Sequence, residues 1–287
     1  MRGLFAVATT PFDKNGQQDL ETLEKCTNRA LDAGVDGVLT LGATGEALAL
    51  SPEEREAQVK KIVEVVDGKV PVVVGCMDYS PSVMVDMIRD AEKWGASAAM
   101  ITPPFYGGLE PANVVDALGS VLSEATLPTM VYNNPGATGV DLEPEYLGEF
   151  LKYDSFWSVK ETSGGAARVR EVRDVVGNDV EVFVGADGLA LEGFTQGASG
   201  WVAASAWLAP AQCAELWKAA DSGNWADAVE LWNALAGPLG TIEGSPAFIS
   251  LIKQTLGKFG FEQGPVRPPL PTASEDVVDQ LAKALGK

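Results

Sequence analysis

The chain has 287 residues, 46% of them hydrophobic and 21% charged, a balance typical of folded globular proteins that excludes disorder as its main theme. Its 40 acidic and 21 basic residues give a formal charge of -19, so neither nucleic acid nor an anionic membrane is an expected partner. It has no histidine, which removes every His-based triad, general base and metal site, and Cys26, Cys76 and Cys213 lack the spacing of a zinc ribbon or disulfide framework.

The first apolar stretch, Leu4–Ala8, is too short for the core of a secretory signal and runs into the polar turn Pro11–Gly16. No run approaches the ~18 apolar residues of a membrane span, so the expected location is the cytoplasm. Strands are expected at Leu4–Thr9, Gly37–Leu41, Val70–Gly75, Ala98–Ile101, Thr129–Tyr132, Ser155–Lys160, Val180–Val184 and Gly200–Ala203. Most are rich in Val, Ile, Leu or Phe and apolar on both faces, as parallel strands covered on both sides should be.

Amphipathic helices fill the gaps. Leu20–Leu31 puts Leu20, Leu23, Thr27, Ala30 and Leu31 on one face. Ser51 followed by Pro52, Glu53 and Glu54 is an N-cap, a helix-starting proline and an acidic first turn, for a helix that ends near Val66, before Gly68. Further helices are expected over Ser82–Trp94, Ala112–Glu124, Glu143–Leu151, Gly165–Val176 and Leu189–Gln196. From Leu208 onward the pattern is helical, with Trp217, Trp225 and Trp232 on apolar faces and an extended strap at Pro265–Pro271. Strand–helix alternation repeated eight times predicts an α/β fold, a (β/α)8 TIM barrel with a C-terminal helical extension. Residues 1–222 form the expected barrel and 223–287 the extension of the same unit. A doubly wound open sheet is disfavoured because no GxGxxG follows the first strand.

Barrel enzymes build their sites at the C-terminal ends of the strands. Lys160 closes the apolar run Phe156–Val159, where alternation would place it on one face with Phe156 and Ser158. If that face is the interior, loss of water favours the neutral, nucleophilic amine. Tyr132 ends the preceding strand, and a phenol beside an amine can relay protons. Gly42–Glu46 reads GATGE: its glycines let backbone amides approach a carboxylate, and Thr44 adds a hydroxyl. No GK[ST] follows, so it is not a phosphate-binding P-loop.

Taken together, GATGE, Tyr132-Asn133-Asn134-Pro135 with Thr138-Gly139, and Val159-Lys160-Glu161-Thr162-Ser163-Gly164 resemble the dihydrodipicolinate synthase / N-acetylneuraminate lyase family. Val7–Phe12 and Val266–Leu270 look like the same family, so the resemblance covers essentially the whole chain. It implies a class I lyase, usually a homotetramer, with no metal and no cofactor. By resemblance Lys160 forms a Schiff base with pyruvate or another 2-oxo acid, and Tyr132 is the proton relay. Thr44 and the amides around Ala43 and Gly45 hold the substrate carboxylate, and Thr162 is a further substrate contact.

The chain also departs from that pattern. Ala137 stands where dihydrodipicolinate synthases carry the arginine expected to pair with the second substrate's carboxylate. Ala43 replaces a threonine whose hydroxyl links the family's tyrosine relay. Either Phe105 or Tyr106 takes the position of a tyrosine reached from a neighbouring subunit. The run Lys160–Gly164 looks closer to the neuraminate lyase and keto-deoxy sugar acid branch, in which Asp187 would meet substrate hydroxyls. The expected function is therefore a 2-keto-3-deoxy sugar acid aldolase, dehydratase or deaminase, with authentic dihydrodipicolinate synthase, condensing pyruvate with aspartate semialdehyde, as the alternative. A phosphate-binding barrel, built on Gly185, Gly188, Gly197 and Gly200, and a non-catalytic binding protein are the remaining readings.

Overall fold

A computed structural model describes all 287 residues. Eight parallel strands close into a barrel in chain order: β1 (Gly3–Val7), β2 (Gly37–Thr40), β3 (Val72–Gly75), β4 (Ala98–Ile101), β5 (Thr129–Asn133), β6 (Phe156–Glu161), β7 (Glu181–Val184) and β8 (Gly200–Ala203). The ring closes where β1 pairs with β8. Nearly every strand residue is buried, which accounts for the apolar runs without polar alternation.

The covering helices are α1 (Leu20–Asp32), α2 (Pro52–Val66), α3 (Pro81–Lys93), α4 (Pro111–Glu124), the short α5 (Pro135–Thr138) and α6 (Pro144–Gly148), α7 (Arg168–Val176), α8 (Ala190–Thr195), α9 (Ser205–Leu208) and α10 (Pro210–Asp221). Beyond them lie α11 (Trp225–Glu243), α12 (Phe248–Lys258) and α13 (Glu275–Ala284). Helix α2 starts as its sequence requires: Glu54 N donates to Ser51 Oγ at 3.3 Å and Ser51 N donates back to Glu54 Oε2 at 2.9 Å.

Three local expectations are corrected. The helix expected over Glu143–Leu151 stops at Gly148 and tightens into a 3-10 turn, Glu149–Lys152. The one expected from Gly165 begins only at Arg168. Trp225 opens α11 and is 41% exposed, so it does not sit on a buried face, unlike Trp217 at 8%.

Strand β6 also breaks the expected alternation. Thr129 pairs with Phe156 and Met130 with Ser158, so Trp157 is an extra residue, a bulge. Phe156 therefore packs edge-on against Phe150, 5.6 Å away in the 3-10 turn, and does not share the face of Lys160. Trp157 packs against Phe183 at 5.7 Å and Phe5 at 6.5 Å. Since β1 and β6 are not adjacent strands, that contact crosses the lumen, which aromatic rings fill at this level.

The C-terminal helices are fixed to the barrel mouth by charge. Lys253 of α12 and Glu46 of the GATGE loop form an ion pair at 2.7 Å with both side chains fully buried. The second Glu46 oxygen accepts the backbone N–H of Arg267 at 2.7 Å, and Lys253 also donates to the Pro265 carbonyl at 2.8 Å. Burial pushes the Lys253 ammonium below its usual range, and the Glu46 charge opposes this. Arg267 itself grips Glu54 with two nitrogens. The strap over residues 265–271 is thus tied to the loop after β2. Glu46→Gln should strand a buried ammonium and lower the unfolding free energy by roughly 3–5 kcal/mol, whereas pairing it with Lys253→Met should recover much of that loss, both read from urea titrations.

Candidate active site

Tyr132 and Lys160 are register partners on adjacent strands. Both are buried, at 8% and 6% exposure, and Lys160 Nζ lies 4.1 Å from the centre of the Tyr132 ring. The amine forms no ion pair and no hydrogen bond within the chain; the face of the phenol is its neighbour, an electrostatic contact worth up to about 2 kcal/mol when desolvated. Its stem requires Gly185, just past β7. A Cβ there would lie 2.7 Å from Lys160 Cε and 2.1 Å from Thr162 Oγ1. Thr162 thus stands beside the lysine with a buried hydroxyl that has no partner in the protein, as does Ser158 one layer down.

The Tyr132 hydroxyl does have a partner, one not anticipated from the sequence. Asn134 Nδ2 donates to Tyr132 Oη at 2.8 Å. This amide supplies the polar contact that Ala43, lacking a hydroxyl, cannot. Because Asn134 occupies the acceptor side of the oxygen, the phenol O–H is left to donate elsewhere.

The residues next to the pair face the opposite way and form a second network. Asn133 and Glu161 are also register partners, and Asn133 Nδ2 donates to Glu161 Oε2 at 3.0 Å and to Asp141 Oδ1 at 2.8 Å. Arg168 clamps Asp141 through two nitrogens at 3.0 and 3.1 Å. Glu161 also accepts the Ser163 N–H; burial raises its carboxyl above the usual range, against these donors. The network joins the ends of β5 and β6 to α7 and so fixes the backbone that carries Tyr132 and Lys160.

The GATGE loop is strained and anchored. Leu41 and Glu46 adopt φ of 56° and 54°, unusual for residues other than glycine. Ala43–Gly45 forms a 3-10 turn that the Gly45 and Glu46 amides close, on the Gly42 and Ala43 carbonyls at 3.0 Å each. The amides of Ala43 and Thr44 are those that a helical turn leaves without an internal partner. They suit a carboxylate, with the buried Thr44 beside them; the Gly45 amide is already spent.

Asp187 opens the 3-10 turn after β7. It is 2% exposed and accepts from Trp201 Nε1 at 2.9 Å and Ser205 N at 2.8 Å, bonds that hold β7 and β8 together. Both of its carboxylate oxygens thus accept hydrogen bonds within the protein. Glu243 of α11 takes the backbone N–H groups of Asp187 and Gly188, which are the donors that a phosphate after β7 would need. Phe105 and Tyr106 separate: Phe105 lines the cavity at the barrel mouth, and Tyr106 is 80% exposed. The three cysteine thiols are buried and their pKa values raised by burial, which makes them inert. No cluster of three or more Cys, Asp or Glu side chains that could hold a metal is present.

Two outcomes follow from this geometry. Gly185→Ala should displace Lys160 and lower reaction of its amine with 2-oxo acids by tenfold or more while far-UV circular dichroism is unchanged, a ~10-fold loss being about 1.4 kcal/mol of misplacement. Burial first, then the Glu243 charge, push the Asp187 carboxyl from 3.8 up to about 6. The native state then holds a proton that the unfolded chain has released, so stability falls as pH rises from about 4 to about 6, by up to about 3 kcal/mol. Urea midpoints measured across that window should show this decline in the wild type and not in Asp187→Asn.

Comparison with known proteins gives the family and the fold. The model of the Dihydrodipicolinate synthetase family matches residues 1–287. A 4-hydroxy-tetrahydrodipicolinate synthase from Bartonella bacilliformis is 31% identical over 293 residues, covering 100% of this chain and 98% of its own. A solved structure described as the first monomeric dihydrodipicolinate synthase variant is 30% identical with a TM-score of 0.94, covering 99% of this chain and 96% of its own. The chloride-inhibited dihydrodipicolinate synthase of Acinetobacter baumannii, solved with pyruvate, is 26% identical with a TM-score of 0.94, covering 99% and 97%. The chain belongs to the dihydrodipicolinate synthetase family, whose members are class I aldolase-type lyases.

Proposed function

We propose that this protein is a Schiff-base-forming lyase that binds pyruvate or another 2-oxo acid through Lys160. The observation that carries this reading is a buried lysine with no ion-pair partner, stacked on a tyrosine whose hydroxyl is already oriented. The pyruvate-bound relative supports the choice of acid. The substrate carboxylate is held by the Ala43 and Thr44 amides and the Thr44 hydroxyl. Lys160 attacks the ketone carbon, water leaves, and an iminium forms. The iminium withdraws electrons from C3, which loses a proton to give an enamine. The enamine carbon attacks an aldehyde, and the proton lost from C3 returns to the new alkoxide, Tyr132 carrying it. Water then releases the 4-hydroxy-2-oxo acid and free Lys160. The reverse sequence is aldol cleavage. Thr162, with its unpaired hydroxyl beside the Lys160 stem, is placed to contact the bound acid.

The names of the relatives favour a second reading, 4-hydroxy-tetrahydrodipicolinate synthase. Ala137 argues against it, because an acceptor with its own carboxylate would enter a strongly acidic chain without a cation at that position. A keto-deoxy sugar acid is less favoured than the sequence alone suggested, since Asp187 is bonded within the protein. An oligomer is part of the proposal, because a relative singled out as monomeric implies assembly elsewhere in the family.

Borohydride added with pyruvate should fix one reduced pyruvate on Lys160, located by peptide mapping; Lys160→Ala should abolish it. Modification at another residue, or none with any 2-oxo acid, would show the mechanism to be wrong. Tyr132→Phe should lower kcat by ~10²–10⁴-fold while Lys160 is still trapped.

A further inference from the structure

A cavity with Tyr132 in its wall has a volume of about 480 Å³, within the range of small-molecule sites. Most of the wall is apolar: Ala47 and Met77 come from the loops after β2 and β3, Phe105 from the loop after β4, Ile249 from α12, and Pro269 and Leu270 from the strap. Two charged residues reach it, and neither is free. Both Glu46 oxygens are occupied, by Lys253 and by the Arg267 backbone. The Arg267 guanidinium is spent on Glu54 and on the carbonyls of Ala49 and Gly16. Ala137, also on the wall, contributes a methyl group. Thr138 donates its hydroxyl to the Asn134 carbonyl at 3.0 Å. Two neutral polar groups remain on the wall: the Thr102 hydroxyl and the Asn134 amide, one N–H of which is bound to the Tyr132 hydroxyl.

A carboxylate or a chain of hydroxyl groups entering here would lose water and gain few partners, a loss that a site must offset with buried donors or acceptors. An uncharged apolar group would instead be buried against carbon. We infer that the second substrate is an aldehyde bearing an aromatic or aliphatic group, so that the physiological product, or in reverse the substrate, is a 4-hydroxy-2-oxo acid with an apolar substituent at C4. This rests on the Schiff-base reading above and adds the class of the second substrate. The chemistry balances without further reactants: one C–C bond forms between pyruvate C3 and the aldehyde carbon, the C3 proton ends on the aldehyde oxygen, and nothing is oxidised or reduced.

The test uses the full-length protein and two measurements. Borohydride trapping with pyruvate reports whether the imine forms. Pyruvate consumption is then followed with benzaldehyde, hexanal, glyceraldehyde and aspartate semialdehyde in parallel. Trapping on Lys160 together with kcat/KM at least ~10-fold higher for benzaldehyde or hexanal than for either polar aldehyde supports the inference, since apolar pockets discriminate on that scale. Trapping with glyceraldehyde or aspartate semialdehyde preferred, or with all four equal, overturns it and leaves the Schiff-base reading standing. No trapping with any 2-oxo acid overturns both. Ala137→Arg should raise kcat/KM for aspartate semialdehyde by ~10–150-fold relative to benzaldehyde, and no change in that ratio would also count against the inferred wall.

Discussion

The parallel register of β5 and β6 is the constraint on which the site depends. It sets Tyr132 opposite Lys160 and, one residue on, Asn133 opposite Glu161. Because successive side chains point to opposite faces, the first pair can turn toward the lumen while the second locks the strand ends from behind. The reactive pair and its support are thus neighbours in sequence with opposite duties. The Trp157 bulge lies below them and adjusts the phase of β6 so that Ser158, Lys160 and Thr162 follow one another along the same side.

The chain is strongly acidic, and several charges at its barrel mouth are held in ion pairs. The charges near the barrel mouth are consumed in pairs: Glu46 with Lys253, Glu54 with Arg267, and Asp141 with Arg168. Those pairs serve geometry. The first ties α12 to the GATGE loop and the second ties the strap to α2, so that distant parts of the chain form one cavity wall. The third steadies the strand end beside Lys160. A buried pair of this kind is weak evidence for net stability, since desolvation offsets much of the attraction, but breaking one leaves a costly lone charge. Lys160 is different: it is buried without a direct ion pair, with the carboxyl groups of Asp187 and Glu243 at longer range, and its nearest neighbours are a ring face and a glycine that makes room for its stem.

Much of the fold was legible because local and global signals agree. The strand cores at Gly37–Thr40, Ala98–Ile101 and Gly200–Ala203 are short, apolar and bounded by turn residues, and the capping signal at Ser51 needs nothing beyond its own neighbours. Lys160 and Tyr132 stood out because polar residues at the ends of apolar strands are rare and barrels place their chemistry there. Asn134 was less visible: its amide turns back to Tyr132 through a loop conformation that spacing does not reveal. The hydroxyl-binding reading of Asp187 rested on the resemblance to the keto-deoxy sugar acid branch; the bonds from Trp201 and Ser205 that draw it inward come from other segments, which its own sequence does not specify.

By itself the sequence determined the alternation of strands and helices, the placing of a lysine and a tyrosine at neighbouring strand ends, and the absence of histidine chemistry. These follow from periodicity and residue type, which are properties of short segments. Only the tertiary structure decided which carboxylates are free and which are spent, that Glu243 caps the turn after β7, and that Phe105 and not Tyr106 lines the cavity. Each of these depends on where groups far apart in the chain meet, as Glu46 meets Lys253, and on burial that no single segment specifies.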